Sequence, residues 1–497
     1  MARIVVIGAG MSGLAAASRL ATLGHRVTVC EASGTYGGMV GRYERDGFAF
    51  DTGPGLLTLP AVYRDLALKT GREPLEQLVG LAPVDPESRH LLPDGTALTL
   101  PNASRGGVAQ ALDDAFGAGS GARWNAVVNR GRTVWEATRR PLLEEPLPAD
   151  PRPLHADPYP VPPRRGLARL RPSGRWTLAD VAARELDGHP GLTALLHEHA
   201  VRFGFDPRTA PAAATVLPYM EQSFGVWYVK GGMRALADAV YRRCEQRKVE
   251  FRFDTRFEEV LEKDGRAAGV VTTAGPVEAD VVVHAADANR QYREWTGMAP
   301  DQDHWPDSVA HADDVPGRAV VLLALRGERP AGTAHRTVVH AADPAAELAG
   351  IFGPGPLPER PTVQVLRPDD PSLHPAGHES AVLTATVPAG GVDWTEPGVA
   401  DRFADRMVAQ AQAAVPGLAG RVLWRVVRTP ADTERETGSW QGSVPRPALP
   451  GGRGAFLQAP TEDAPGFYLV GGAAHPGGGL ARVGMSACIA ANLIGPA

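Results

Sequence analysis

The sequence has few lysines, few cysteines and no long apolar run, and each shortage excludes a class of protein. Its 497 residues contain only Cys30, Cys244 and Cys488, an odd and widely spaced set that fits neither a disulfide framework nor a metal cluster. No apolar run is long enough to cross a bilayer. The net charge is −5 and no basic stripe is interleaved with aromatics, so nucleic-acid binding is not expected.

These shortages predict a cytoplasmic protein with reduced thiols and no resident metal. The sequence enters an apolar strand directly, without the charged and apolar regions of a signal peptide. Contact with a membrane surface through an amphipathic patch stays open, because composition does not test it. A chain of 497 residues with 43% hydrophobic residues is too long for one hydrophobic core. Two domains are therefore expected. One arrangement that the length allows is the insertion of one domain into the other.

The N-terminal segment carries a strand, a glycine turn and a helix. Residues 4–7 form a uniformly apolar run, typical of a parallel strand buried on both faces. Gly8, Gly10 and Gly13 follow with G-x-G-x-x-G spacing, which suits a tight turn, a close approach of the backbone to a pyrophosphate, and packing of the helix on the strand. The helix predicted over residues 12–23 directs its N-terminal amides, near Met11 and Ser12, at the phosphates.

An acid closes the second predicted strand. Val27, Val29 and Cys30 form this strand, and Glu31 ends it about twenty residues after the glycines. A carboxylate at this place can accept hydrogen bonds from both hydroxyls of an adenosine ribose, and it would repel a ribose 2′-phosphate. Strand, turn, helix and acid together predict a dinucleotide site.

Two further glycine segments follow. Gly38 permits close approach of a ligand to the backbone, and Arg42 could form an ion pair with a pyrophosphate. Residues 48–55, Phe-Ala-Phe-Asp-Thr-Gly-Pro-Gly, indicate a short strand that enters a rigid loop. The bare amides of Gly53 and Gly55 could face a flat ring.

Residues 8–59 resemble the N-terminal signature of the flavin-dependent amine oxidase and phytoene desaturase superfamily. The shared pattern is the glycine fingerprint, the ribose acid, Gly-Gly and then Phe-x-Phe-Asp-x-Gly-Pro. Residues 225–233, Gly-Val-Trp-Tyr-Val-Lys-Gly-Gly-Met, resemble the phytoene desaturase branch with one substitution, Val229. The resemblance implies FAD as cofactor. Met39 departs from the Arg or Lys that usually follows Gly-Gly, which leaves Arg42 as the basic phosphate contact.

The resemblance also covers the adenine contact and the C-terminal signature. Phe257 matches an apolar residue whose backbone hydrogen-bonds the adenine. Residues 467–479 resemble the C-terminal signature, with Gly471 and Gly472 near the ribityl phosphate. The helix predicted from about Val483 would offer amides and a positive dipole end to the O2 and N1 edge of the flavin. Arg482 is a departure, since Ala-Arg replaces the family's Pro-Gly here.

The implied fold class is α/β, a Rossmann-type FAD-binding domain of the GR2 or amine-oxidase-like kind with an interleaved α+β substrate-binding domain. The predicted division assigns residues 1–100, 225–286 and 426–497 to the FAD-binding domain. Residues 101–224 and 287–425 are assigned to the substrate domain. The substrate domain is expected to contain an antiparallel sheet, with strands at residues 319–325, 362–366 and 381–387.

Three smaller expectations concern local structure. Residues 251–261 are predicted as one edge strand, with a hairpin to residues 268–271. Residues 143–172, rich in Pro and Arg, are expected to be a surface loop or a lid. A helix is expected to begin after Thr177, in a capping box with Asp180.

The histidines give one catalytic candidate. His197 and His199 lie two positions apart on a predicted helix, point to different faces and have no third partner, so we expect solvated residues and no metal site. His284 is interpreted as a packed histidine at a strand end. His475 lies in the C-terminal signature and is the candidate proton acceptor, with a structural turn histidine as the alternative.

The predicted function is that of an FAD-dependent oxidoreductase resembling phytoene desaturases. It would remove hydrogen from a C–C bond of a hydrophobic polyene, a terpenoid-like molecule or another natural product, with hydride transfer to flavin N5. A flavin amine oxidase is one alternative, disfavoured because relatives of that kind use a lysine in the later substrate domain and this chain has none after Lys263. A redox-neutral isomerase, a cyclase or saturase, and a non-catalytic flavin-binding scaffold are the others. Substrate identity, terminal electron acceptor and oligomeric state stay open.

Overall fold

The computed structural model describes residues 1–162, 175–287 and 316–497. Its strands, numbered along the chain, are β1 (Arg3–Ile7), β2 (Arg26–Cys30), β3 (Arg42–Arg45), β4 (Phe48–Asp51), β5 (Leu57–Thr58), β6 (Leu81–Pro83), β7 (Ser88–Leu91), β8 (Ala97–Leu100), β9 (Val226–Val229), β10 (Glu250–Arg252), β11 (Phe257–Lys263), β12 (Arg266–Thr272), β13 (Gly275–Glu278), β14 (Val281–His284), β15 (Gly317–Arg326), β16 (Arg336–Val339), β17 (Val363–Leu366), β18 (His378–Val387), β19 (Val422–Arg428), β20 (Glu462–Ala464) and β21 (Phe467–Leu469).

The α-helices of the described ranges are numbered in the same way. They are α1 (Met11–Thr22), α2 (Ala61–Gly71), α3 (Leu75–Leu78), α4 (Arg105–Phe116), α5 (Ser120–Arg139), α6 (Leu178–Glu185), α7 (Pro190–Arg202), α8 (Val216–Phe224), α9 (Arg234–Gln246), α10 (Pro344–Phe352), α11 (Val399–Ala411), α12 (Leu418–Arg421), α13 (Pro430–Thr437) and α14 (Leu480–Ile494).

A six-stranded sheet organises the N-terminal and C-terminal parts of the chain. Its strand order is β10-β2-β1-β14-β21-β20, with every pair parallel except β20 and β21. Side chains alternate along β1, so Ile4 and Val6 pack toward helices α1, α9 and α14, while Val5 and Ile7 pack toward β12 on the opposite face. Both faces are therefore buried, which explains the uninterrupted apolar run and confirms the predicted Rossmann-type domain.

A small sheet of order β11-β12-β13 covers the second face of the six-stranded sheet. The hairpin predicted between residues 261 and 268 is present as β11 and β12. The single edge strand predicted over residues 251–261 is wrong, since β10 belongs to the large sheet and β11 to the small one. Asp254 lies between them with a φ of +52°, a left-handed conformation that interrupts an extended strand.

A seven-stranded sheet of order β19-β15-β18-β17-β16-β7-β8 forms the second large layer. Its pairs are antiparallel, as predicted, except that β16 and β7 are parallel. On β18, Leu383 and Ala385 face the core formed with α11, while Thr384 and Thr386 face the other way. Strands β7 and β8 fall within residues 1–100, which the sequence assigned to the FAD-binding domain, and that division stays a prediction.

A third layer consists of α4 to α8, packed around Trp124, Leu192 and Phe205. Helix α6 begins as predicted, because the Thr177 side chain accepts a hydrogen bond from the Asp180 amide and the Asp180 carboxylate accepts one from Thr177. The described part of the predicted loop at residues 143–172 contains short helical turns, and its remainder lies outside the described residues. Across the described ranges, no helix is long and apolar enough to span a membrane.

Candidate functional site: a cavity between two sheets

A cavity of about 2470 Å³ runs from the glycine turn after β1 to one face of the seven-stranded sheet. It brings together most of the residues that the sequence singled out. Gly13, Gly471 and His475 are the predicted site residues that do not line it. Those that do are Gly8, Gly10, Met11, Ser12, Glu31, Gly38, Met39, Arg42, Gly53, Gly55, Phe257, Gly472 and Val483, which we call the nucleotide wall.

The glycine turn needs its glycines for steric reasons. Gly8 has a φ of +95°, a conformation that glycine adopts without strain. A Cβ on Gly13 would lie 2.0 Å from the Gly8 carbonyl oxygen, so helix α1 can approach β1 only without a side chain there. A Cβ on Gly38 would lie 3.1 Å from the Gly10 Cα. The two backbones therefore approach each other at the cavity edge.

The N-terminus of α1 presents free amides to the cavity. Gly10 is the N-cap residue and supplies no side-chain hydrogen bond, and the first turn contains no acidic residue. Met11 and Ser12 line the cavity directly after it. Since the first amides of a helix have no intrahelical acceptor and carry the positive end of the helix dipole, this position favours a phosphate group.

Glu31 follows β2 and is held in place by the neighbouring turns. Its Oε2 accepts a hydrogen bond from the Ala9 amide at 2.6 Å. Its Oε1 accepts hydrogen bonds from the amide and the hydroxyl of Ser33, both at 2.8 Å. A carboxylate offers about four lone-pair sites. Glu31 therefore keeps capacity to accept a ribose hydroxyl from the cavity that it lines.

The second glycine segment continues the nucleotide wall. A Cβ on Gly53 would lie 1.9 Å from the Met39 carbonyl oxygen, so the loop after β4 packs directly on the backbone of Met39. Arg42 lines the cavity, forms an ion pair with Glu44 at 2.6 Å, and donates to the Gly231 carbonyl at 3.2 Å. These contacts leave part of its guanidinium free for a phosphate oxygen.

The C-terminal signature closes this end of the cavity. The Gly471 amide donates to the Ser486 hydroxyl at 3.2 Å, which ties the loop to α14. Gly472 packs on Pro445, where a Cβ on the glycine would lie 2.5 Å from the proline ring. Helix α14 begins after Gly479, which has a φ of +103° and supplies no side-chain cap. Val483 lies in its first turn and lines the cavity.

His475 lies apart from the cavity that its neighbours line. It is fully buried, and its Nε2 lies 3.1 Å from the Glu145 carbonyl oxygen. Burial lowers the pKa of His475 to about 4. This placement favours the alternative interpretation of a structural histidine over that of a proton acceptor.

Two other histidine predictions have different outcomes. His284 is packed beside the rings of Phe257 and Phe467, as predicted, and burial lowers its pKa to about 4. The prediction that His199 is solvated is wrong. Its Nδ1 bonds the Leu195 carbonyl at 2.9 Å, and its Nε2 lies 3.1 Å from a carboxylate oxygen of Glu221. Because α7 is buried on this face, a polar residue there must find partners inside the protein.

Those partners belong to a buried ion cluster that the sequence did not predict. Arg336 forms ion pairs with Glu87 at 2.5 Å, Glu221 at 2.8 Å and Glu198 at 3.2 Å. Arg202 bonds Glu198 at 3.0 Å and also Glu221. We call this set, which consists of Glu87, Glu198, His199, Arg202, Glu221 and Arg336, the ion cluster.

The ion cluster holds its carboxylates in different protonation states. Burial alone would raise the pKa of Glu198, but Arg202 and Arg336 outweigh it and lower that pKa to about 2. The same two arginines hold the pKa of Glu221 well below its usual range. Burial raises the pKa of Glu87 to about 7, and Arg336 offsets this only in part. Glu198, Arg202 and Glu221 also line the cavity. Charged side chains therefore border the part of the cavity outside the nucleotide wall, which we call the substrate side.

The nucleotide wall fits FAD. Its free helix amides suit a pyrophosphate, Glu31 suits an adenosine ribose, and the crowded glycines let a ligand lie against bare backbone. Among the described residues, no group of three or more His, Cys, Asp or Glu side chains could hold a metal ion.

Known proteins are similar to this chain in sequence over nearly its whole length. This chain is 28% identical to a neurosporene-forming phytoene desaturase from Rhodobacter capsulatus, over 99% of this chain and 94% of that protein. It is 26% identical to a 4,4'-diapolycopene oxygenase from Methylomonas sp., over 97% of this chain and 96% of that protein. These relatives support a flavin oxidoreductase of the carotenoid desaturase type.

Solved structures share the fold at low identity. Putrescine oxidase bound to putrescine superposes with a TM-score of 0.66 at 14% identity, covering 99% of both chains. An oxidoreductase from Methanosarcina mazei superposes with a TM-score of 0.63 at 15% identity, covering 98% of this chain and 99% of that one. At these identities the likeness shows the fold alone.

A family model described as Flavin containing amine oxidoreductase matches residues 11–495. Together with the nucleotide wall, this match identifies FAD as the cofactor and the protein as an FAD-dependent oxidoreductase. The chain thus belongs to the flavin containing amine oxidoreductase family.

Proposed function

We propose that the protein oxidises a C–C bond of a hydrophobic, polyene-like or terpenoid-like substrate, with hydride transfer to FAD. The observation that carries the proposal is the continuity of the cavity. One wall suits FAD, and the same space reaches the face of the seven-stranded sheet. The carotenoid desaturases among the relatives support this class of reaction.

The size and the apolar lining of the cavity suit a long substrate. Ligand pockets for small molecules usually measure roughly 300–1,000 Å³. A volume of about 2470 Å³ leaves room for an extended substrate beside a dinucleotide. Val201, Phe203, Val320, Leu348 and Leu366 line the cavity outside the nucleotide wall. These side chains would exclude water and hold an apolar chain in a defined orientation.

When bound, FAD would supply a two-electron acceptor for hydride. The contributions of the chain are electrostatic and positional. The uncapped N-terminus of α14 places unpaired amides and a positive dipole end at the cavity, which favours negative charge there. Among the described residues, the imidazoles that line the cavity are His197 and His340, and burial lowers the pKa of each to about 4. Both are therefore neutral at pH 7. Nε2 of His340 lies 2.9 Å from Nδ1 of His90, whereas Nε2 of His197 has no hydrogen-bond partner in the described part of the chain.

Anaerobic mixing of the FAD-loaded protein with phytoene tests the proposal. We expect the flavin absorbance to bleach while a product with a longer, red-shifted polyene forms. Bleaching by amines alone would contradict the proposal and favour amine oxidation. A flavin that neither donor reduces would favour a redox-neutral reaction or a non-catalytic scaffold.

Two variants at one position supply a matched control. Thr384 lines the cavity, and its side-chain hydroxyl has no hydrogen-bond partner in the described part of the chain. Thr384→Phe should fill the substrate side and slow bleaching at least about tenfold, whereas Thr384→Val keeps the shape and should stay close to wild type. Equal rates in both variants would show that the substrate does not occupy this side of the cavity.

A further inference from the structure

One stretch of the cavity wall is polar where a hydrocarbon substrate would need apolar contacts. On the seven-stranded sheet, Arg318 of β15 lies directly opposite Thr386 of β18, and Thr384 lies opposite both Val320 and Gln364. All five residues line the cavity, because alternation along the strands directs them to the same face. Neither threonine hydroxyl has a hydrogen-bond partner in the described ranges.

Arg318 is only partly satisfied by the protein. Its guanidinium donates to the carbonyl oxygen of Gly317 at 3.1 Å and to that of Arg202. Within the described residues, no carboxylate forms an ion pair with it. A guanidinium has five N–H donors, so several remain for a ligand. Burial lowers the pKa of Arg318 to about 10, so the group stays charged at neutral pH.

The neighbouring ion cluster does not neutralise Arg318. Glu198 and Glu221 each form ion pairs with both Arg202 and Arg336. Burial lowers the pKa of His199, but the hydrogen bond with Glu221 outweighs burial and raises that pKa. Burial raises the pKa of Glu87 to about 7, so this group carries only part of a charge near neutral pH. The carboxylates of the cluster are thus matched by its own cations, and the charge of Arg318 is in excess.

The strand that carries Arg318 is linked to the part of the cavity that contains Gly472. The Val444 amide donates to the Pro316 carbonyl at 3.1 Å, and the next residue, Pro445, packs on Gly472. The Arg318 guanidinium itself reaches the Arg202 carbonyl, next to Val201 and Phe203, which line the cavity. The excess positive charge therefore lies on the substrate side.

A pure hydrocarbon that displaced water from this region would leave several N–H groups of the Arg318 guanidinium and two threonine hydroxyls without partners, which is unfavourable. We propose that the substrate carries a carboxylate. Arg318 binds it through charge-assisted hydrogen bonds, and the hydroxyl of the neighbouring Thr386 donates a further hydrogen bond to it. This inference rests on the proposed function and specifies its substrate class. The rest of the substrate lies along the apolar part of the wall.

Binding of three related polyenes to the FAD-loaded protein tests the inference without turnover. The ligands are retinoic acid, methyl retinoate and the corresponding hydrocarbon, and the readout is the shift of the flavin absorbance during titration. We expect the acid to bind about tenfold to hundredfold more tightly than the ester, since a hydrogen bond to a charged group is worth that much. Arg318→Gln should abolish the preference and leave the affinity for the ester unchanged, while Arg318→Lys should retain part of it.

Arg428→Gln is the matched control. Arg428 also lines the cavity, but its guanidinium forms two hydrogen bonds with Glu436, so its charge is already neutralised. Its removal should leave the ratio of acid to ester affinity as in the wild type. Equal affinities for acid and ester, or a preference that survives Arg318→Gln, would overturn the inference alone. Failure of all three polyenes to bind would overturn both the inference and the proposed function.

Discussion

The two sides of the cavity are built from different parts of the chain. The nucleotide wall consists mainly of backbone, brought close by Gly8, Gly10, Gly38 and Gly53 within one N-terminal stretch. The substrate side consists of side chains from distant segments. Of these, Glu198 and Glu221 line the cavity and are held by the buried Arg336, which lies 138 and 115 positions away in the sequence. Substitutions that add a side-chain atom should therefore disturb the closely packed backbone of the nucleotide wall. Substitutions that remove one partner of an ion pair should destabilise the buried charged side chains.

The largest expected effect lies in the ion cluster, three members of which line the cavity. Arg336→Met removes the cation that Glu87, Glu198 and Glu221 share, and leaves buried carboxylates uncompensated. We expect the free energy of unfolding to fall by about 4 kcal/mol. Chemical denaturation of the apoprotein measures this. Arg152→Met is the control, because Arg152 pairs only with Asp150 among the described residues, at the surface, and its loss should leave stability nearly unchanged. Similar losses in both variants would show that the cluster is not energetically distinct.

The next effect concerns the nucleotide wall. In Gly53→Ala the new Cβ would lie 1.9 Å from the Met39 carbonyl oxygen, so the backbone must move and stability should fall by about 3 kcal/mol. In Gly10→Ala the nearest atom to the Cβ is 3.9 Å away, so the apoprotein should keep its melting temperature. Gly10→Ala should nevertheless weaken FAD binding, since its Cβ would occupy the space next to the helix amides. Thermal unfolding and FAD titration of both variants separate the two roles, and equal melting temperatures would contradict the expected clash.

The same contrast explains what the sequence predicted. The glycine turn, α1 and Glu31 are neighbours along the chain, and the reason for each residue is local, so the spacing alone predicted this part of the nucleotide wall. Phe257, Gly472 and Val483 were expected only from the resemblance to the family. Three strands of the seven-stranded sheet, β15, β17 and β18, were recognisable by composition, whereas β16 and β19 were not predicted. The edge strand was wrong because the left-handed conformation of Asp254 leaves no mark in an otherwise strand-like run.

The ion cluster was missed because its partners meet only through the tertiary fold. The spacing of Glu198 and Arg202 at i and i+4 indicates an ion pair on any helix, exposed or buried. A better signal is Glu221, the one acidic residue of the otherwise largely apolar helix α8, which indicates that a buried partner is needed. The sequence could not identify Arg336 as that partner, since it lies in a strand more than a hundred residues later.

A smaller effect tests the ribose contact. Glu31→Gln replaces a carboxylate with an amide that has a single acceptor oxygen, so the hydrogen bond from Ala9 or those from Ser33 are lost together with the ribose contact, and thermal unfolding of the apoprotein measures the first loss by itself. We expect the dissociation constant of FAD to rise about tenfold to hundredfold, because hydrogen bonds to a charged acceptor are lost. Glu250→Gln is the control, since Glu250 pairs with Arg252 at 2.8 Å on an edge strand and does not line the cavity. Unchanged FAD affinity in Glu31→Gln would remove Glu31 from the site.

The smallest effect is a pH dependence within the ion cluster. Burial raises the pKa of Glu87 from 4.5 to about 7, so the folded protein holds this proton more tightly than the unfolded chain. The resulting stability is present below pH 4.5 and is lost as the pH rises toward about 7. Glu87→Gln, which is neutral at every pH, should flatten this part of the stability curve. Urea unfolding of the wild type and of this variant across the same pH window measures the slope, with Glu136→Gln at an exposed ion pair as the control. A slope that persists in Glu87→Gln would mean that another group, not Glu87, takes up the proton when the protein folds.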